Sequence, residues 1–224
     1  ISRATTSRLI DAISNTGVPF VELTDRKGAT ELPQVRSNDA AIGRMGAEHL
    51  LERGFERFGF CGYKGEAWSK RREDAFVGMV QEKSSEPCSL YHSTWQGRAA
   101  RNWEDEQQCI VDWLHTLTPP FAVMACNDIR GQQVIDACSK LGLAVPEQAV
   151  VIGVDNDELL CRVCSPPLSS VIPNAETVGF RAAEVLAGLM DGDSPASEVQ
   201  LIEPLGVATR QSTDVVAIDD RDIA

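Results

Sequence analysis

The sequence predicts an α/β protein of the doubly wound kind, built on a parallel sheet with helices on both faces. Three observations carry that expectation. Amphipathic helical segments alternate with short apolar strands along nearly the whole chain. The runs 121–126 and 150–154 are apolar without alternation, as strands buried on both faces are. Each run then stops on a pair of amide and carboxyl side chains, Asn127-Asp128 and Asp155-Asn156. In open parallel sheets, ligands collect just beyond the carboxyl ends of the strands.

Taken in order, Leu9, Ile10 and Ile13 share one helical face, Gly17 closes that helix, and 18–23 reads as a short strand. Residues 34–37 read as an extended connector. A helix follows from Asp39, a good N-cap, to Arg53, with Gly54 as its stop signal, and 57–61 is a strand closing on Gly62. Residues 68–81 are helical by pattern, with Ala75, Phe76, Met79 and Val80 on one side and Arg71, Arg72 and Glu73 near the start. Ile110, Trp113, Leu114 and Leu117 repeat at i, i+3, i+4 and i+7, which places Trp113 in the core. Val134, Ala137, Cys138 and Leu141 repeat that spacing and Gly142 ends it. Asn174 opens the last helix as its cap, with Val178, Ala182, Val185, Leu186 and Leu189 on the inner face.

Composition narrows the function. The 224 residues are 43% apolar, enough for a full core, and carry a net charge of −12. A surface this acidic repels phosphate backbones, so this stretch is not expected to hold nucleic acid itself. No apolar run approaches the ~20 residues a membrane span requires, which with the lack of a secretion signal implies a cytoplasmic protein. Seven cysteines, at 61, 88, 109, 126, 138, 161 and 164, form no even disulfide framework and fit buried thiols in a reducing compartment. Cys161 and Cys164 make a lone C-x-x-C, and His49, His92 and His115 are scattered, so neither zinc nor any cofactor is implied. Motifs for nucleotide phosphates, dinucleotides, hydrolase nucleophiles and zinc proteases are missing. Glu48-His49 is an isolated pair that reads as surface or interface.

The residues 127, 128, 155 and 156 have the chemistry of helix caps and turns as well as that of a ligand site. Their placement at two strand ends, with no nucleophile beside them, favours binding of a polyhydroxylated small molecule.

Six stretches resemble one family in order and spacing. Gly46-Ala47-Glu48-His49-Leu50-Leu51-Glu52-Arg53-Gly54, then Phe58-Gly59-Phe60-Cys61-Gly62, then Arg72-Glu73-Asp74-Ala75-Phe76 resemble successive landmarks of the lactose-repressor family. Cys126-Asn127-Asp128, Ile152-Gly153-Val154-Asp155-Asn156 and Pro166-Pro167-Leu168-Ser169-Ser170-Val171 resemble the next three. The resemblance is strongest with bacterial xylose-operon regulators, through Trp68 ahead of Arg72, the Asp155-Asn156 pair and the tail Arg210-Gln211-Ser212-Thr213-Asp214.

That resemblance implies a two-lobed periplasmic-binding-protein-like type I fold, with parallel sheets flanked by helices and the first lobe truncated at its start. Residues 1–37 and 174–201 would form the partial N-terminal lobe, and 39–171 with 206–215 the C-terminal lobe. Residues 216–224 would be a linker towards a C-terminal helix-turn-helix DNA-binding domain outside this chain. The crossings would fall near 37–39, 172–174 and 201–206, and a sugar bound between the lobes would favour their closure. The implied function is the effector-binding domain of a DNA-binding transcriptional regulator, a homodimer whose effector is xylose or a related aldose. The alternatives are a solute-binding component of a sugar transporter and an α/β enzyme using Asp128 or Asp155.

By the same resemblance, Arg72, Asn127 and Asp155 fall where the family's sugar-contacting arginine, asparagine and aspartate sit, and Asp128 could share the role of Asn127. Guanidinium supplies fixed donors, carboxylate accepts from hydroxyls and an amide does both. Trp68, Trp95 and Trp103 are candidate aromatic faces for a sugar ring, and Asn156 completes the set. Pro173 departs from the family pattern, which offers a polar side chain there.

Overall fold

The computed structural model describes residues 7–23, 32–84, 86–94, 102–194 and 199–215. The chain forms two compact units, and it passes from one to the other at 38/39, 172/173 and 204/205.

The larger unit, 39–172 with 205–224, holds a six-stranded sheet. Its strands are β2 (Phe58–Lys64), β3 (Ser89–Thr94), β4 (Phe121–Ala125), β5 (Ala149–Val154), β6 (Ser169–Ile172) and β8 (Gly206–Ala208), in the order β3-β2-β4-β5-β6-β8. Every pairing is parallel except the last, where β8 runs antiparallel to β6. That edge is the one departure from the all-parallel sheet expected from sequence. It arises because β6 and β8 are joined through the other unit rather than by a crossover helix.

Alternation along the strands feeds two cores. Phe58, Phe60, Ala122, Met124, Val150 and Ile152 pack with Ile42 and Leu50 of α2 (Asp39–Leu51) and Phe76 and Val80 of α3 (Ala67–Gln81). Cys61, Phe121, Val123, Ala149 and Val151 face the opposite way. They pack with Ile110, Trp113 and Leu114 of α4 (Trp103–Leu114) and Val134, Ile135, Ala137 and Cys138 of α5 (Asp128–Lys140). Strands with both faces covered must be apolar at every position, which is why β4 and β5 read as unbroken hydrophobic runs. Trp113 is buried as expected, and its ring N–H donates to Ser89 Oγ. The short α6 (Glu158–Val163) follows β5. It has too few residues to show a period in sequence.

The smaller unit, 1–38 with 173–204, contains α1 (Ser7–Ser14), α7 (Ala175–Met190) and the parallel pair β1 (Val35–Ser37) and β7 (Gln200–Ile202). Val21, Val35, Val178 and Ala182 form its core. The expected strand over 18–23 is not formed: only Glu22 bridges, to Gln34, and the connector 34–37 supplies the strand instead. Asn174 does not cap α7 with its side chain. Its backbone is left-handed (φ 60°), and its amide donates to the Glu203 carbonyl.

A 3-10 turn, Gln211–Thr213, is bound tightly to the larger unit. Ser212 Oγ donates to the Val151 carbonyl (2.6 Å) and accepts from the Ser169 amide (2.8 Å). Arg53, just beyond α2, donates from Nε to the Thr213 carbonyl and from Nη1 to the His49 carbonyl. His49 is buried rather than on the surface, with Nε2 2.9 Å from Thr213 Oγ1. The Thr213 hydroxyl donates onward to Ser169 Oγ, which donates to the Arg210 carbonyl.

Replacing Ser212 with Ala strands the buried Ser169 amide and the Val151 carbonyl, each having lost its hydroxyl partner. The expected cost is about 1–3 kcal/mol, read as a lower urea midpoint at unchanged m-value.

Candidate functional site

The polar residues singled out in sequence lie at the carboxyl edge of the larger unit's sheet. Asn127 follows β4 and Asp155 follows β5, and these strands are neighbours in register (Val123 opposite Val151). Arg72 comes from α3, which follows β2, the neighbour of β4 on its other side.

Arg72 is buried, 6% exposed, and held on several sides. Nε donates to Asp39 Oδ1 (3.0 Å) and Nη1 to the Cys126 carbonyl (2.6 Å). The guanidinium carbon lies 4.9 Å from the centroid of the Trp68 ring, and Nη1 lies 3.8 Å from Asp155 Oδ1. Among the described residues, Nη2 has no hydrogen-bond acceptor. The neighbouring Arg71 is half-buried and also binds Asp39, through Nη2 at 2.8 Å and Nε at 3.2 Å.

Asn127 is both cap and candidate. Its Oδ1 accepts from the Arg130 amide (3.1 Å) and caps α5, while Nδ2 has no acceptor among the described residues. Capping uses the oxygen and leaves the two amide hydrogens. Asp155 is half-exposed, and both it and Asn156 adopt positive φ (106° and 51°). Backbone this sparsely populated at a strand end is held only where its surroundings over-determine it. Here they do: the Asp155 amide donates to the Val171 carbonyl, the Asn156 amide to Ser170 Oγ, and Arg210 Nη2 to Asn156 Oδ1 (2.7 Å).

Asp128 sits beneath that loop and does not join the group. It is 2% exposed, with Oδ1 accepting from Ser170 Oγ (2.6 Å) and Oδ2 from the Asp157 amide (2.8 Å). Its carboxylate would collide with a Cβ at position 153, so only glycine fits there. Trp68 lies against the site with one ring face covered by Arg72 and its ring 5.9 Å from that of Tyr63. Trp103 is exposed at the start of α4, and Trp95 lies outside the described residues.

A second buried arginine stands in the first turn of α5. Arg130 pairs with Glu106 (2.9 Å), stacks 4.4 Å over the Tyr63 ring and bonds Ser93 Oγ and Gln133. Sequence reading missed Asp39, Arg130 and Ser170. Asp39 was legible only as a cap, and Arg130 gave no signal because a buried arginine looks like a surface one until its partners are known. Among the described residues no cluster of metal-ligating side chains is assembled, and Cys161 and Cys164 are free buried thiols. No helix among them is long and apolar enough to cross a membrane.

The fold and edge chemistry define a class: the chain belongs to the periplasmic binding protein-like domain family, which it matches over residues 47–213. It is similar to the xylose operon regulatory protein of Haemophilus influenzae, with 34% identity over 84% of this chain and 49% of that protein. The Escherichia coli K12 protein of the same name is 35% identical over 83% of this chain and 47% of its own length. The chain thus spans about half the length of the curated relatives it matches. The solved structure of the xylose-binding transcription activator xylR superposes with TM-score 0.84 at 30% identity, over 96% of this chain and 58% of that one. A dimeric Lac repressor shares the fold, with TM-score 0.76 at 18% identity over 97% and 77% of the two chains.

Two buried groups titrate in opposite senses over one pH window. Burial, with Arg53 nearby, pushes the His49 imidazole down to about 4, so the folded state binds fewer protons than the unfolded between 6.5 and 4. Stability is then lost as pH falls through that range, by about 3 kcal/mol. Burial pushes the Asp128 carboxyl up to about 6, against its hydrogen bonds from Ser170 and the Asp157 amide. Its folded state binds more protons between 3.8 and 6, so stability is lost as pH rises through about 6, also by about 3 kcal/mol. The two offset one another. Relative to wild type, His49→Asn should gain unfolding free energy as pH is lowered from 7 to 4, and Asp128→Asn should lose it, measured by urea titration at each pH.

Proposed function

We propose that this chain is the effector-binding part of a bacterial DNA-binding transcription regulator, and that its effector is a neutral sugar, D-xylose or a related aldose. The observation that carries the reading is Arg72, a buried guanidinium fixed beside the half-exposed Asp155 and the capping Asn127 at one sheet edge. Together these groups offer charge-assisted donors, a carboxylate acceptor and amide hydrogens within one small region, the complement of adjacent sugar hydroxyls. The similarity to regulators whose names specify xylose supports the choice of effector. Asn156, held by Arg210, and Trp68, stacked on Arg72, shape the site's border, and Asp128 supports it from below.

In this reading the domain binds its ligand without turning it over, and it works in the cytoplasm as a homodimer. DNA contact belongs to a helix-turn-helix module carried by residues beyond 224, with 216–224 as linker. The net charge of −12 fits a domain that leaves the phosphate backbone to another part of the protein.

Calorimetric and thermal-shift titration of the intact regulator against a panel of aldoses tests this. D-xylose should raise the unfolding midpoint. Arg72→Ala should weaken its binding about 100-fold, equivalent to about 3 kcal/mol of charge-assisted hydrogen bonding. A midpoint raised by a different class of metabolite and by no aldose refutes the carbohydrate assignment.

A further inference from the structure

Resting on the reading of Arg72 as a ligand-contacting group, we propose that Asp39 is a positioning residue for effector recognition. Its buried carboxylate sets where the Arg72 guanidinium points, and thereby sets effector affinity, without contacting the effector itself.

Asp39 opens α2 and is 4% exposed. Its two oxygens are divided between two arginines: Oδ1 takes Arg72 Nε, and Oδ2 takes Arg71 Nη2 and Nε. Of the other restraints on the Arg72 guanidinium, the Cys126 carbonyl and the Trp68 ring are neutral and the half-exposed Asp155 carboxylate stands off at 3.8 Å, whereas Asp39 brings a buried full charge at hydrogen-bond distance from a different helix. A free arginine side chain carries ~2 kcal/mol of rotamer entropy, and a charged bond at Nε removes much of it while leaving the Nη2 end available. A buried ion pair gains little net stability once desolvation is counted, so its effect lies in geometry more than in stability.

Helix packing makes that geometry stiff. One turn along α2 from Asp39 is Gly43, where a Cβ would run into the backbone carbonyl of Arg72 itself. The α2 backbone therefore rests directly on the residue whose side chain Asp39 holds. The carboxylate cannot move relative to Arg72 unless a whole helix moves. Arg72 is thus held at Nε by Asp39 (3.0 Å) while its Nη1 lies only 3.8 Å from Asp155 Oδ1. Removing the Asp39 charge would let Arg72 turn towards Asp155, blocking the acceptor that the effector needs.

The test is a double-mutant cycle on the full chain with D-xylose as the probe, read by calorimetry, with Asp39→Asn, Arg72→Ala and both together. Asp39→Asn should lower affinity at least fivefold, Arg72→Ala should lower it further, and the double variant should match Arg72→Ala within twofold. Asp39→Glu, which keeps the charge and displaces it by one methylene, should fall between wild type and Asp39→Asn. The Arg72 Nε–H resonance should be protected from exchange in wild type and lose that protection in Asp39→Asn. Wild-type affinity in Asp39→Asn, or losses that multiply in the double variant, overturn the proposal. If Asp39→Asn does not fold, Asp39→Glu decides: wild-type affinity with an unchanged Arg72 resonance overturns it. If Arg72→Ala binds xylose as wild type does, the site reading falls, and the positioning role with it. If wild type binds no xylose, the effector assignment falls, and an unaltered Arg72 resonance in the Asp39 variants separately overturns the positioning role.

Discussion

A guanidinium taken out of water at the edge of an apolar sheet has to be compensated where it stands, and the larger unit is arranged around that requirement at Arg72. The compensating carboxylate comes from α2, the carbonyl from the end of β4 and the stacking ring from the first turn of α3. Each of those groups is in place only if the helices and strands that carry them pack as they do. The same logic recurs at Arg130, which is balanced by Glu106 and shielded by Tyr63. Two buried cations thus flank Asn127, one bonding the residue before it and one a turn beyond it.

The rest of the edge is organised by hydroxyl and carboxyl groups sharing protons in fixed directions. Ser170 Oγ accepts from the Asn156 amide and its hydroxyl donates a hydrogen bond to Asp128, which also accepts from the Asp157 amide. The outcome is that a loop with two positive-φ residues is held by directed hydrogen bonds. On the far side, His49 stays neutral because burial makes its charged form costly, and it joins a line of hydroxyls ending at the Arg210 carbonyl. Arg210 closes the circuit by reaching back to Asn156. The segment just before residue 216 is thereby tied to the loop that carries Asp155.

Much of this was legible in the sequence, and the boundary of what was legible is physical. The continuous apolar runs of β4 and β5 announce double burial, and the polar pairs after them mark the sheet's carboxyl edge. Helices with long stripes, α3, α4 and α5, could be placed from their spacing alone. Short elements such as α6, β7 and β8 have too few residues for any period to show, and the antiparallel edge depends on a chain path through the other unit. The segment 18–23 has strand-like composition, but among the described residues only Glu22 forms a β-bridge, to Gln34. Of the candidate site residues, Arg72, Asn127 and Asp155 were named from sequence because each sits beside a recognisable landmark. Asp39 and Ser170 escaped because their importance lies in what they touch across 33 and 42 positions of sequence. Asp128 was picked out with Asn127 by adjacency, yet successive residues at a helix start point in different directions, and only one of the two faces outward.

The contact of Gly43 with the Arg72 backbone bears on how such a domain can change over evolutionary time or in the laboratory. Asp39, Gly43 and Arg72 form an interlocked set: a side chain at 43 would meet the Arg72 carbonyl, and a change at Asp39 or Arg72 removes the partner of a buried charge. Asn127, Asp155 and Asn156 stand at the ends of strands and are more open to solvent, but Asn127 also caps α5 and Asn156 is held by Arg210, which leaves the half-exposed Asp155 side chain the least encumbered of the three. On the proposed reading of the site, a library meant to redirect this domain to another small molecule belongs first at Asp155, with Arg72 left unchanged.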